Sequence, residues 1–182
     1  ASQIDSLFNL KTYRGSRNYC IVHLMLDEGL RSGDVLNLTV RSINFDESYI
    51  MILNGKGDKD RIVPLAKRLR QPLYKYITFF RPHTTQHDFL FCSMQDPEEP
   101  LTHNAIKSLF SRIRKETGIT RLKPHLLRHT FATSFILGGG DMESLRLYLG
   151  HSSYDTTQTY LHLANTYERM GSDVYKLDGI FF

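Results

Sequence analysis

Between Thr102 and Gly150 the chain is punctuated as helices, and this constrains its fold more than any other feature. Thr102 precedes a run that stops at Gly118. Pro124 opens a run that stops at Gly138-Gly139-Gly140. Asp141 opens a third that stops at Gly150, and Asp155 opens a fourth over about 156–164. A Thr or Asp oxygen accepts from an otherwise orphaned first-turn amide, and Pro is preorganised for the first helical position. Gly supplies the left-handed conformation in which helices commonly end. The spacing therefore predicts helices over 103–117, 124–137, 141–149 and 156–164, with no room between them for a strand.

The first half is more mixed. The apolar residues Ile21, Val22, Leu24, Met25 and Leu26 predict a helix over 16–29, and a short helix follows over 32–38. Segments 43–45, 49–53 and 61–65 read as strands, joined by polar turns, the second of them rich in Lys and Gly. A helix over 66–80 and a polar, Pro-containing loop over 81–100 complete this half. The fold class is α+β, mainly α, with a small three-stranded antiparallel sheet. At 182 residues the chain makes one domain, with about 1–15 as a linker remnant and about 165–182 as a tail helix. A helix-turn-helix repressor is an alternative for 124–164 on pattern alone.

Several classes are excluded. With 41% hydrophobic and 23% charged residues the chain is neither disordered nor collagenous. No stretch of 18 apolar residues occurs, so no membrane helix is expected. The opening residues carry no secretion signal, and Cys20 and Cys92 form neither a disulfide framework nor a CxxC zinc site. A reducing, cytoplasmic setting follows as the expectation. The net charge is +4, but segments 55–81 and 101–135 each carry +6 while the remainder is acidic. Brought together, the two basic segments would make a face for an anionic polymer; kept apart, they are two solvated surfaces.

Four groups of residues carry chemistry. In Pro124-His125-Leu126-Leu127-Arg128-His129, the i,i+3 spacing puts His125 and Arg128 on one side of a helix start, which suits an anion. His125 and His129 have the i,i+4 spacing of zinc ligands but lack the Glu and third ligand of such a site, so no metal is expected. In the run from Leu149-Gly150-His151 to Tyr160, a glycine turn leads to a histidine and then a helix presenting a phenol. Arg31, with Asp34 three residues on, and Lys56, between two glycines at a hairpin tip, are the others. Taken singly, each has an ordinary alternative: a solvated histidine pair, a half-buried aromatic, a surface ion pair and a turn lysine.

In this order, Arg31, Lys56, His125-x-x-Arg128, His151 and Tyr160 resemble the signature of the tyrosine recombinases, the phage-integrase family of DNA strand transferases. The likeness extends to Gly29-Leu30-Arg31, to the hairpin 55–61 with Val63-Pro64-Leu65, to 124–133, and to 149–160, so it covers about 16–163. It implies the DNA breaking-rejoining enzyme fold. It also implies that Tyr160 attacks a phosphodiester to leave a 3′-phosphotyrosine and a free 5′-hydroxyl. Arg31 and Arg128 would clamp the phosphate, with Asp34 orienting Arg31. Lys56 would protonate the leaving oxygen, His151 would donate to a non-bridging oxygen, and His125 would bond the phosphate or assist proton transfer. No cofactor or metal is implied.

The resemblance further implies double-stranded DNA as partner, with Lys59, Arg61, Lys107, Arg112, Arg114 and Lys115 as candidate DNA contacts. Other protomers would join in a recombination synapse, a tetramer on DNA, through the tail. No membrane partner is expected, and the isolated fragment should be a monomer. The tail's apolar residues can dock in trans or in cis, with an ordinary core helix as the alternative. The family's N-terminal core-binding domain is expected to be absent from this chain. The setting is a bacterial cytoplasm, at the nucleoid, and the expected role is integration or excision of a mobile element or prophage. A non-catalytic DNA-binding protein of the same fold and a type IB topoisomerase are the alternatives. The chain departs from the commoner family pattern at Gly33-Asp34, where Ser-Glu is usual, and at Leu126, where Asp is common.

Overall fold

A computed structural model describes residues 2–53, 60–93, 95–150, 157, 158, 160 and 161. Its centre is helix α2 (Tyr13–Leu26), buried on every side from Ser16 onward. A helix hydrophobic all round belongs in a core, and α2's polar residues are accommodated there by partners. Arg17 Nη1 donates to the Cys92 carbonyl at 3.2 Å, and the His23 ring nitrogens lie 2.7 and 2.8 Å from Asp27 and Asp5. Thr12 caps α2 by accepting from the Gly15 amide.

Segment 1–15, expected as linker, contains a short helix, α1 (Ser2–Asp5). Its Ile4 enters the core, and Asp5 pairs with His23 and Arg68. Helix α3 (Ser32–Asn37) follows, then β1 (Ile43–Asn44), β2 (Tyr49–Ile52) and β3 (Arg61–Pro64). The sheet is antiparallel in the order β1-β2-β3, with Ile50 opposite Ile43 on one side and Val63 on the other. Ile50, Ile52 and Val63 face the core while Ile62 faces out, the period-two alternation of a half-covered sheet.

The expected single helix over 66–80 is instead α4 (Lys67–Lys75) followed by a π-helical turn at Tyr76–Phe80. The Arg81 amide bonds back five residues to the Tyr76 carbonyl at 2.7 Å. Tyr76 is buried, and its hydroxyl donates to the Leu90 carbonyl, so tertiary packing overrides the regular turn.

Helices α5 (His103–Thr117), α6 (Pro124–Leu137) and α7 (Met142–Leu149) match the punctuation. Thr102 accepts from the Ala105 amide, Asp141 accepts from the Ser144 amide, and Gly118 and Gly150 end their helices at φ 72° and 62°. Two apolar clusters result. The larger surrounds α2 and takes in the sheet, α4 and α5. The smaller consists of Phe131, Ala132, Leu145, Leu149 and Tyr160. Among the described residues no helix is long and apolar enough to cross a membrane. The expected tail helix over 165–182 lies outside the described residues.

Candidate active site

The two clusters meet where α2 ends and α7 ends. α7 leaves three consecutive carbonyls at its C-terminus, and each receives an arginine. Arg61 Nε donates to Tyr148 O at 3.1 Å, Arg128 Nη2 to Leu149 O at 2.7 Å and Arg31 Nη2 to Gly150 O at 3.2 Å. Helix ends leave carbonyls without intrahelical partners and carry partial negative charge. The end of α7 is therefore a natural seat for cations, and it gathers three arginines from distant parts of the chain.

Arg128 and Arg61 each have a second side-chain tether. Arg128, on α6 and 5% exposed, also donates from Nη1 to Gly29 O at 2.6 Å. Arg61 Nη2 pairs with Asp34 Oδ2 at 2.6 Å, and the same oxygen accepts from the Arg31 amide at 3.0 Å. Arg31, at the start of α3, leaves Nη1 buried with no hydrogen-bond partner among the described residues. A buried, unpaired guanidinium N–H is costly unless something anionic meets it.

Two glycines permit the close approach. Gly29 has φ 61°, and a Cβ there would lie 2.4 Å from Phe131 Cδ1. Gly150 has φ 62°, and its Cβ would crowd the Arg61 side chain at 3.1 Å. Both positions favour glycine on backbone conformation as well as space. Behind them, the Tyr148 hydroxyl donates to Glu28 Oε2 at 3.0 Å, and the Tyr148 ring lies 5.1 Å from that of Phe131.

The electrostatics follow from crowding. Burial, with repulsion from Arg31, pushes the Arg128 pKa down to about 9 against the pull of Tyr160 and Asp34, leaving it cationic at neutral pH. Burial also lowers Arg31, opposed by Asp34 and reinforced by Arg61. Tyr160 is 4% exposed, and burial raises its pKa while Arg128 and Arg31 pull it back. The phenol thus lies within electrostatic reach of both guanidiniums. The His129 ring is 5.2 Å from that of Tyr160, and burial, His125 and Arg128 lower its pKa.

The structure brings Arg31, Arg128, Asp34 and Tyr160 together. His125 is exposed at the start of α6, unlike buried Arg128. Lys56, Lys59 and His151 lie outside the described residues. Two expectations are corrected. Asp34 holds the Arg31 main chain and the Arg61 guanidinium by hydrogen bonds, so it orients Arg31 through backbone and field rather than by a side-chain bridge. Arg61 does not present its charge as a DNA contact: its side chain is 8% exposed and is used in tying β3 to α3 and α7. Lys107, Arg112 and Lys115 are exposed on α5, whereas Arg114 is half-buried and donates to Leu122 O. Sequence reading missed Arg61's role, Tyr148, Glu28 and His129; only the glycines flanking the motifs hint at such close packing.

This geometry can clamp an oxyanion between Arg31 and Arg128 beside a phenol. The model of the phage integrase family matches residues 1–166. The tyrosine recombinase XerC of Staphylococcus haemolyticus is 33% identical over 168 residues, covering 90% of this chain and 56% of that protein. The chain thus spans little more than half the length of that relative. The crystal structure of XerA recombinase superposes with TM-score 0.75 at 35% identity, over 86% of this chain and 59% of that one. XerH, a site-specific recombinase bound to palindromic difH substrate in a post-cleavage complex, gives TM-score 0.76 at 25% identity, over 96% and 50%. The Tn1549 transposon integrase in complex with a circular intermediate DNA shares the fold at TM-score 0.67 and 20% identity. On this evidence the chain belongs to the phage integrase family, and its fold is that of a tyrosine recombinase catalytic domain.

Proposed function

We propose that the protein cleaves and rejoins double-stranded DNA at specific sites through a 3′-phosphotyrosyl intermediate. The observation that carries this reading is the buried Arg31 Nη1, without a partner among the described residues, beside Arg128 and within electrostatic reach of Tyr160. Attack by the Tyr160 phenol oxygen forms the O–P bond, and the P–O5′ bond breaks. The phenol proton passes to His125 or water, and Lys56 gives a proton to the leaving oxygen. Negative charge grows on the phosphate oxygens, where Arg31, Arg128 and His151 donate. Preorganised donors of this kind are usually the largest catalytic term, and a planar guanidinium fits phosphate oxygens in pairs. Glycine at 29 and 150, and the three arginines seated on α7, hold the donors still.

The linkage keeps the energy of the broken diester, so a second strand's 5′-hydroxyl reseals it without a cofactor. The substrates named for XerH and the transposon integrase support DNA as the partner. Assembly of protomers on DNA through the tail, and a mobile-element role, complete the proposal. XerC, XerA and XerH share 33%, 35% and 25% identity against 20% for the transposon integrase, so support is stronger for strand exchange of the Xer type.

The test is a nicked suicide substrate carrying the native site, with full-length protein. Wild type should form a covalent adduct, and Tyr160→Phe should form none while binding DNA as before. Binding without any wild-type adduct would instead establish a non-catalytic DNA-binding protein.

A further inference from the structure

A second arginine cluster lies away from the catalytic arginines. A cavity of roughly 370 Å³ opens between the first turns of α2 and one flank of α5, and Arg14, Arg17 and Arg112 line it with no carboxylate among the lining residues. Ser93, Thr102 and Ser108 add hydroxyls. Arg17 is nine residues before the end of α2, about 13 Å along the helix axis, so the cavity is separate from the junction at α7.

Three features point to an anion there. Arg17 is 7% exposed, yet its guanidinium meets only neutral partners, the Cys92 carbonyl, Asn18 Oδ1 and the Tyr13 ring 5.3 Å away. Among the described residues no carboxylate balances it. Buried cations are normally paired. Second, the N-terminal ends of both α2 and α5 border the cavity, and neither helix has an acidic residue in its first turn. Helix N-termini favour anions, yet α2 places Arg14 in its first turn and Arg17 in the next. That arrangement suits a negative occupant and opposes an empty one. Third, among the described residues no carboxylate lines the cavity.

We propose that this cavity binds a backbone phosphate of the DNA substrate, a second anchor that positions the duplex without taking part in the chemistry. The inference rests on the DNA-processing reading above. The shared chemistry is a tetrahedral oxyanion, and the DNA backbone is the source to which the proposal commits. Such a contact carries no sequence information and should act through counterion release.

The experiment compares full-length wild type with the double variant Arg14→Ala/Arg112→Ala, both exposed positions. Binding to specific and random duplexes is titrated over salt concentration. The variant should lose affinity equally for both, with the slope of log K against log salt reduced by about one. Ser108→Glu, which adds a carboxylate at the exposed cavity wall, should weaken binding in the same uniform way without removing any arginine. Unchanged slopes in both variants would overturn the proposal. Saturable binding of inorganic phosphate, followed by Arg17 and Thr102 amide shifts, would also overturn it if DNA slopes stay unchanged, because the pocket would then serve a free anion. Adduct formation by wild type on the nicked substrate is scored separately, so failure of the anchor and failure of the recombinase reading look different.

Discussion

The two arginine clusters differ in how they are held. At the end of α7, Arg31, Arg61 and Arg128 are each seated on a backbone carbonyl, and Asp34 locks Arg61 and the Arg31 amide. In the α2–α5 cavity only Arg17 is buried; Arg14 and Arg112 reach solvent. The first arrangement fixes donor positions before any ligand arrives, as stabilising a transient charge requires. The second holds one fixed guanidinium and two adjustable ones, enough for a grip that tolerates a moving duplex. Rigidity is concentrated at the end of α7, and it comes from main-chain acceptors together with the Asp34 carboxylate.

The contrast is tested most severely at Arg128. Arg128→Lys keeps the charge but cannot span Gly29 O and Leu149 O, so adduct formation should fall about 100- to 1000-fold in single-turnover assays. An effect no larger than that of Arg112→Ala would erase the distinction between the clusters. Next in size is Gly29→Ala. The positive φ alone costs about 1–3 kcal/mol, and the clash with Phe131 adds to it. Thermal unfolding should show the loss, and adduct yield should drop because Gly29 O anchors Arg128.

Glu28 sharpens the comparison through pH. Burial pushes its pKa up to about 8, although the Ala66 amide and the Tyr148 hydroxyl pull it down. The folded state then holds the proton more tightly than the unfolded state. Stability is full below about 4.5, the unfolded value, and is lost as pH rises through about 8. Glu28→Gln should flatten the profile of stability against pH in that window, measured by denaturant unfolding; an unchanged slope would remove Glu28 from the account. The smallest expected effect is Thr102→Ala, which removes the α5 cap and should cost about 1 kcal/mol. Thermal unfolding should show the loss.

Local features were legible in the sequence to the residue in places. Thr102, Gly118, Pro124, Asp141 and Gly150 mark the helix limits observed, because caps act within one turn of the backbone. The order of Arg31, Lys56, His125-x-x-Arg128, His151 and Tyr160, with the motifs around them, was enough to recognise the family. The π-turn at Tyr76–Phe80 was not legible, since its cause is Tyr76 packing against a strand-like segment fourteen residues away. Arg61 read as another exposed lysine-rich hairpin charge, and Asp34 as a simple partner for Arg31.

What the sequence determined by itself is thus where helices start and stop and which side chains are available for phosphate chemistry. The tertiary structure alone decided which arginines are spent as scaffold and which keep an N–H for a ligand. The reason is range. Capping and periodicity operate over a few residues, whereas the carbonyls that seat Arg31, Arg61 and Arg128 lie 119, 87 and 21 positions away. Such partners are chosen only when α7 packs against α6 and β3.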